Sequence, residues 1–149
     1  RGFGRTAQSV AREIRNGRLD IEDGKKMVFE NDGKWLASKR KGPVHSDKWE
    51  FPGGKIELGE TETLALVREC KEELDWKITP VNKIMAIDYN YSNFTVTLHF
   101  WRCTSQSEIA PSTHSHSEHR WIETSSLHNY DWLEADIPLI EHIQSTYLN

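Results

Sequence analysis

The segment FPGGKIELGETETLALVRECKEELDW, residues 51–76, joins a glycine-rich loop to a strongly acidic helix. Leu66, Cys70 and Leu74 recur every four positions, a spacing that predicts a helix with one face packed inward. Thr61 precedes the pattern and is a good helix N-cap, so we expect a helix from about Thr61 to Asp75. The rest of the fold has to accommodate this loop and this buried helix face.

The same helix carries three glutamates, Glu69, Glu72 and Glu73, at positions i, i+3 and i+4. At about 100° per residue they fall on a neighbouring face, where we expect the three carboxylates to converge. Like charges at this spacing cost a helix roughly 0.2–0.5 kcal/mol per pair, and Arg68 and Lys71 offset part of that cost. The face is either a solvated acidic surface or a site for Mg²⁺, which prefers carboxylate and water oxygens.

Two glycines before the helix favour the metal site. Gly53 and Gly54 leave the backbone free to approach a ligand closely, with a bare carbonyl available to coordinate a cation. The whole segment resembles the Nudix box. Its six defining positions match at the family spacing: Gly54, Glu60, Arg68, Glu69, Glu72 and Glu73. Asp75 stands where the family has glycine in a left-handed turn, a conformation that Asp tolerates at a modest cost in stability.

The resemblance implies an α/β fold, the Nudix α/β/α sandwich with a mixed β-sheet. It extends from about Lys26 to the C-terminus, so we assign residues 26–149 to the Nudix domain and residues 1–25 to an N-terminal extension of unclear role. Within that extension, Val10 and Ile14 have the spacing of a short amphipathic helix over residues 7–15.

The resemblance also implies the chemistry, which is hydrolysis of a nucleotide diphosphate linkage with Mg²⁺, or Mn²⁺ as a substitute. The implied metal ligands are Glu69, Glu72, Glu73 and the carbonyl of Gly53. Glu69 is also the implied base for the attacking water, and Arg68, paired with Glu60, would hold the glutamates in place. Alternatively, the Arg68–Glu60 pair is an ordinary surface salt bridge.

The segments KWEFPGGKIELGET, TVTLHFW and ADIPLIEHI are similar to MutT-like enzymes, especially bacterial CTP pyrophosphohydrolases. By position, the implied nucleotide-binding residues are Arg40, His45, Phe51 and Asp136. The alternatives are a solvated Arg, a loop His, a core Phe and, for Asp136, a helix N-cap. Asp136 stands where guanine-reading relatives carry Asn, and an ionised Asp only accepts hydrogen bonds, which suits the exocyclic amine of cytosine.

The loop THSHSEHRW, residues 113–121, departs from the family pattern. Ser115 stands where relatives often have a Glu that serves as a further metal ligand, and Glu118 is a nearby substitute. His114, His116 and His119 suggest zinc, but loop histidines without Cys or a well-spaced acidic partner more often face solvent. We therefore expect Mg²⁺ rather than zinc.

The remaining strands and the last helix are predicted from the spacing of their apolar residues. The segment KKMVFENDGKWLASKR reads as a hairpin around Asn31-Asp32-Gly33, with a short, polar first arm. KIMAIDYNY and NFTVTLHFWRC read as two strands around a Ser92-Asn93 turn, and in the second strand every other residue faces the core. HRWIET is a further strand. DIPLIEHIQSTYL is a closing helix with Ile140, Ile143 and Tyr147 facing inward.

The chain has 149 residues, enough for one globular domain. Its formal net charge of −4 argues against a broad cationic surface for a nucleic acid polymer. Cys70 and Cys103 lack the short paired spacing of a disulfide scaffold or a zinc site, which favours a reducing compartment. No apolar run predicts a membrane span, so we expect a cytoplasmic monomer or homodimer.

These observations predict an enzyme that converts a nucleoside triphosphate and water to the monophosphate and pyrophosphate, with CTP, dCTP or a modified dCTP favoured. An 8-oxo-dGTP hydrolase is the close alternative. A Nudix module that senses a nucleotide without cleaving it is a second, and an acidic interaction surface with no nucleotide role is a third.

Overall fold

The computed structural model describes residues 21–91, 94–107 and 110–148, which form two β-sheets and two α-helices. The strands are β1 (Ile21–Val28), β2 (Glu30–Asn31), β3 (Lys34–Arg40), β4 (Trp49–Glu50), β5 (Gly53–Lys55), β6 (Ile78–Asn90), β7 (Thr95–Ser105) and β8 (His116–Glu123). The helices are α1 (Glu62–Leu74) and α2 (Ile137–Tyr147), with 3₁₀ turns at Thr124–Asn129 and Glu134–Asp136.

The first sheet is mixed. Its order is β5-β1-β7-β6, in which β1 runs parallel to β7 and the other pairs are antiparallel. The second sheet is antiparallel and centres on β3, which pairs with β8 along one edge and with β2 and β4 along the other. Residues 30–31 and 34–35 pair around a turn in which Asp32 and Gly33 have φ of 53° and 77°, so the predicted turn is confirmed. The predicted first arm is wrong in part, because residues 25–28 belong to β1 and pair with β5 and β7 rather than with β3.

Each helix covers its own apolar cluster. Met27 packs with Leu66, Cys70 and Leu74 of α1, whereas the next residue, Val28, belongs to the cluster that includes α2. Because successive side chains of a strand point to opposite faces, α1 and α2 cover opposite faces of β1. The predicted α/β/α sandwich with a mixed sheet is confirmed.

Helix α1 begins and ends as its sequence predicts. The Thr61 hydroxyl accepts a hydrogen bond from the backbone N–H of Leu64 at 3.2 Å, as an N-cap does. Asp75 ends the helix in the left-handed region, at φ 54° and ψ 37°, and its N–H donates to the carbonyl of Cys70. The Asp that replaces the family glycine therefore adopts the conformation that the glycine favours.

The first strand is longer than predicted. Strand β1 begins at Ile21, so residues 21–25, which the sequence analysis placed in the extension, pair with β5 and β7. The alternation of apolar and polar residues does not indicate this strand, because Lys25 and Lys26 interrupt the alternation. The predicted helix over residues 7–15 and the Ser92-Asn93 turn lie outside the described residues.

The later strands and the closing helix agree with their patterns, with one exception. Val96, Leu98 and Phe100 are buried in β7, as the alternation predicts. Helix α2 buries Ile140 and Ile143, but Tyr147 is 57% exposed, so its predicted inward orientation is wrong. Tyr147 lies at the last residue of α2, where only the edge of its ring reaches the core, at Trp35. Among the described helices, none is long and apolar enough to cross a membrane.

Candidate active site

Glu69 and Glu73 of α1 meet inside the protein. Glu69 is fully buried, Glu73 is nearly so, and their carboxylates interact with each other. Burial raises the pKa of Glu69, and the nearby Glu73 carboxylate acts in the same direction. One oxygen of Glu69, Oε2, is buried without a hydrogen-bond donor in the described part of the chain.

The other oxygen of Glu69 binds a buried lysine. Nζ of Lys25 lies 2.6 Å from Glu69 Oε1 and 2.6 Å from the carbonyl oxygen of Lys55. Neither side chain of this ion pair is exposed. Burial lowers the pKa of Lys25, and the Glu69 carboxylate opposes that effect.

Both loop glycines are required by close packing. A Cβ on Gly54 would lie 2.5 Å from Glu69 Oε1, and one on Gly53 would lie 2.1 Å from the carbonyl oxygen of Lys25. Gly54 thus makes room for the Glu69 carboxylate, and Gly53 lets β5 pair closely with β1. The metal-ligand role of the Gly53 carbonyl stays a prediction.

Arg68 organises the exposed side of the site. It donates to both oxygens of Glu60, at 2.6 and 2.9 Å, so the predicted contact between the two side chains is confirmed. Hydrogen bonding to Arg68 lowers the pKa of Glu60 to about 2. Arg68 also donates to the Lys55 carbonyl at 3.2 Å, which ties the helix to β5.

The structure brings Glu69 and Glu73 together, whereas the convergence of Glu72 with them stays a prediction. Glu72 is 42% exposed, and its Oε1 accepts from Nη1 of Arg68 at 2.9 Å, the usual reach of an i, i+4 pair. That same nitrogen lies 3.6 Å from Glu69 Oε1, so Glu72 and Glu69 flank one guanidinium. In the described ranges, no three His, Cys, Asp or Glu side chains are arranged to hold a metal ion. Lys71 pairs with Asp75 rather than with a glutamate.

A second buried charged group lies on the α2 side of β1. Nζ of Lys26 lies 2.9 Å from Glu50 Oε1, 2.9 Å from the carbonyl of Phe51 and 3.3 Å from Asp136 Oδ2. Glu50 also accepts from Arg40 at 3.2 Å, and its other oxygen contacts His116.

Asp136 is fully buried in this group, immediately before α2. Its Oδ2 accepts from the backbone N–H of Phe51 at 2.8 Å, whereas Oδ1 is buried without a donor among the residues the structure describes. Burial raises the pKa of Asp136 to about 6, and Lys26 opposes the shift. The side chain makes no capping hydrogen bond to α2, so the N-cap alternative is wrong.

The other predicted nucleotide contacts are placed differently from one another. Arg40 ends β3 and is held by Glu50 and the carbonyl of Val44. His45 is exposed in the following loop, with φ of 52°. The Phe51 ring is fully buried and stacks on Trp132 at 5.2 Å, so it contributes to the core while its backbone holds Asp136 and Lys26. Binding roles for Arg40 and His45 stay predictions.

A family model described as NUDIX domain matches residues 26–142. The chain belongs to the Nudix family. It is 34% identical to the CTP pyrophosphohydrolase of Escherichia coli K12 over 117 residues, which cover 76% of this chain and 84% of that protein. It is 33% identical to the 8-oxo-dGTP diphosphatase of the same strain over 121 residues, 79% of this chain and 92% of that one. The solution structure of the E. coli ORF135 protein aligns with a TM-score of 0.75 and 31% identity, over 87% of this chain and 92% of that chain.

The chain is therefore a Nudix hydrolase, and Nudix hydrolases act on nucleotides and generally need a divalent metal ion. The residues of α1 fit such an ion in part. Glu69 Oε2 is buried, lacks a described donor and lies beside a second carboxylate, Glu73, a combination that a cation satisfies. Glu72 joins this set only if it leaves Arg68.

The loop that departs from the Nudix pattern is placed close to the site. Ser115 contacts the Glu73 carboxylate, so it occupies the expected position with a neutral group. Glu118 accepts from Arg120 at 2.9 Å instead of replacing the missing carboxylate. His116 is buried against Glu50, and His119 contacts Ser38 at 2.7 Å, so the solvent-facing interpretation is wrong for both.

Sequence reasoning missed four site residues: Lys25, Lys26, Glu50 and His116. The signal for the lysines was the polar character of the first hairpin arm, since a central strand carries Lys only where the charge has partners. No local signal identifies Glu50 or His116, because their mutual contact spans 66 residues.

A separate cleft of about 870 Å³ lies beyond the far end of β1, between Phe29, Leu36, Trp76 and Trp121. Among the described residues, none of the predicted site residues lines it. The predicted site residues lie instead at α1 and around Asp136, and their roles stay predictions.

Proposed function

We propose that this Nudix hydrolase converts a nucleoside triphosphate and water to the monophosphate and pyrophosphate, with CTP, dCTP or a modified dCTP as the preferred substrate and Mg²⁺ as the cofactor. Mn²⁺ is the expected substitute. The observation that carries the substrate preference is the buried acceptor, Oδ1 of Asp136, which has no described donor.

The metal is assigned to the glutamates of α1. Glu69 Oε2 and Glu73 would hold it, with the Gly53 carbonyl and Glu72 completing the set. When bound, a divalent ion supplies positive charge to the phosphates and lowers the pKa of a water molecule.

The residues of the chain supply the proton transfer and the orientation. Glu69 accepts the proton of the attacking water, and burial raises its pKa, which suits a base. The water oxygen bonds to the β-phosphorus, and the oxygen between the α- and β-phosphorus atoms leaves with the monophosphate. Arg68, fixed by Glu60, holds the exposed end of α1 in place during this step.

Asp136 reads the base. Its Oδ2 is fixed by Phe51 N–H and Lys26, which leaves Oδ1 to accept from the exocyclic amine of cytosine. Lys26 favours the ionised carboxylate, the form that only accepts. Tyr91 lies near this group and stacks on Phe94 at 5.0 Å, which offers an aromatic wall beside the base.

An 8-oxo-dGTP hydrolase is the second candidate. It is supported by the 33% identity to the E. coli 8-oxo-dGTP diphosphatase over most of both chains. A guanine base presents the O6 carbonyl beside its N1–H and 2-amino donors, so a group that both donates and accepts matches that edge, whereas ionised Asp136 only accepts.

A substrate panel tests the proposal. Initial rates with CTP, dCTP, UTP, GTP and 8-oxo-dGTP, with products identified by phosphorus NMR, should give the highest kcat/KM for a cytosine nucleotide and release pyrophosphate. Tight binding without product would instead indicate a nucleotide sensor, and no binding an acidic interaction surface.

The Asp136→Asn variant isolates the base contact. We expect it to lower kcat/KM for CTP by about 10–100-fold, the size of one hydrogen bond to a charged group, and to lower GTP hydrolysis less. Asp131→Asn is the matched control, because Asp131 is an exposed carboxylate paired with Lys48. An unchanged substrate order in Asp136→Asn would remove Asp136 from base reading.

A further inference from the structure

The buried ion pair between Lys25 and Glu69 places a fixed positive charge inside the acidic site. Lys25 lies in β1, the strand between β5 and β7, and its side chain has no exposed surface. Lysine is almost never fully buried unless it is paired, and here the partner is the glutamate at the centre of the site. The contact joins residues 44 positions apart in the chain.

The two oxygens of Glu69 are therefore not equivalent. Oε1 accepts from Lys25 at 2.6 Å and lies 3.6 Å from Arg68 Nη1, whereas Oε2 is buried and has no donor among the described residues. A carboxylate that bridges two metal ions commonly places one ion on each oxygen. With Oε1 bound to an ammonium, Glu69 has one oxygen left for one metal ion.

Charge leads to the same conclusion. A second divalent ion near Oε1 would lie close to the ammonium of Lys25, and burial keeps water from screening the repulsion. Gly54 fixes this geometry, because its missing Cβ is what allows the Glu69 carboxylate to sit against β5 beside Lys25.

We propose that the Lys25 ammonium takes the place of a second metal ion at the glutamate site, so that the chain itself holds a single divalent ion, between Glu69 and Glu73. The inference rests on the proposed function, since it concerns the metal of that same site. It assigns Lys25 as a positioning residue that sets the number of metal ions.

The test counts Mn²⁺ ions in the absence of nucleotide. Calorimetry and electron paramagnetic resonance on the wild-type chain should show one Mn²⁺ without spin coupling to another. Lys25→Met frees Oε1 and removes the repulsion, so it should bind two Mn²⁺ ions, with the coupled spectrum of a pair about 3.5–4 Å apart.

Lys55→Met is the matched control. It removes a lysine from the adjacent strand β5, but Nζ of Lys55 pairs with Glu22 at 3.2 Å, so this variant should bind one Mn²⁺, like the wild type. A folded Lys25→Met variant that still binds one Mn²⁺ would overturn the inference.

Two wild-type results keep the test decisive if Lys25→Met does not fold. A spin-coupled Mn²⁺ pair in the wild-type chain overturns the inference alone, provided that the chain hydrolyses a triphosphate. The inference is supported if the wild-type chain binds a single uncoupled Mn²⁺ ion and the Glu73→Gln variant no longer binds it. A wild-type chain that hydrolyses no triphosphate, whatever its Mn²⁺ count, overturns the proposed function instead.

Discussion

At the residue scale, Glu72 differs from Glu69 and Glu73 because its carboxylate is exposed and faces Arg68. Glu72 is bound to Arg68, which already holds Glu60 with two hydrogen bonds. An exposed pair of this kind contributes little to stability, so exchanging the guanidinium for a metal ion costs the fold little. We therefore expect Glu72 to change partner when a cation and a triphosphate arrive.

Replacing Glu72 with Gln tests that exchange. We expect Glu72→Gln to lower kcat by roughly 10–100-fold through weaker metal binding. The free energy of unfolding should fall by no more than about 0.5 kcal/mol, because the i, i+4 pair with Arg68 is exposed to solvent. Urea unfolding and Mg²⁺-dependent kinetics measure both effects. Full turnover in Glu72→Gln would mean that the carboxylate stays on Arg68 throughout the reaction.

Asp136 is expected to make the base preference depend on pH. The charged and titratable groups around it come from four elements and one loop: Lys26, Arg40, Glu50, His116 and Tyr91. Burial raises the pKa of Asp136 to about 6, so the acceptor is ionised above that pH and protonated below it. The ratio of kcat/KM for CTP to that for UTP should fall as the pH decreases through 6.

Asp136→Asn is the control for this pH effect, because the amide does not titrate and should give a ratio that is flat with pH. The stability effect has the opposite sign to that of an ordinary paired Asp. Because the folded pKa lies above the unfolded one, the folded chain binds more protons between about pH 4 and 6, and this group destabilises the fold as the pH rises through that window. A pH-dependent ratio in the Asn variant would show that Asp136 is not the titrating group.

Individual residues were predictable where their partners are local. The Arg68–Glu60 contact spans eight residues and lies within one motif, so the resemblance to the Nudix box was enough to predict it. The Lys26–Asp136 contact spans 110 residues and depends on how the sheet brings β1 to the start of α2. Residue type alone does not encode such a pairing.

At the scale of elements, α1 shows how much a local pattern determines. Apolar spacing, the Thr61 cap and the left-handed Asp75 are all properties of neighbouring residues, and the sequence predicts them correctly. Strand β1 is the contrary case, because its two lysines are stabilised by partners that the period of the strand does not show.

The end of α1 provides a stability prediction. Asp75 adopts φ 54°, which glycine adopts without strain, so Asp75→Gly should raise the unfolding midpoint by a few degrees despite losing the exposed contact to Lys71. Asp75→Ala should lower it, because Ala has the same backbone strain and no side-chain contact. Thermal unfolding followed by circular dichroism measures both, and a lower midpoint for the Gly variant would show that the Lys71 contact outweighs the strain.

At the scale of the whole molecule, the proposed function brings a polyanionic substrate to a site that consists of acidic residues. The formal net charge is −4, so the chain as a whole does not attract a triphosphate, and binding depends on the local cation. The motif in α1 and the loop before it is enough to predict the family and its fold. The motif does not predict the preferred base, because in the proposed function the base is recognised by the buried group around Asp136.

Linked binding gives a prediction for the whole fold. Mg²⁺ with a non-hydrolysable CTP analogue at about 100 times Kd should stabilise the protein by about 2.7 kcal/mol, seen as a higher unfolding midpoint. EDTA should remove the effect, and Glu73→Gln should weaken it. Equal stabilisation by the analogue in EDTA would show that the nucleotide binds without any bridging ion.

The neighbouring positions of Lys25 and Lys26 make the two halves of the site depend on one strand. Their ammonium groups point to opposite faces of the sheet, one to Glu69 and the other to Asp136. A single residue inserted into β1 before them would move Lys25 to the face of Asp136 and would put Lys26 in the place of Met27, against the apolar cluster of α1. Glu69 would then lose its buried lysine and the fold would gain an unpaired buried charge, so the register of β1 determines both pairings at once.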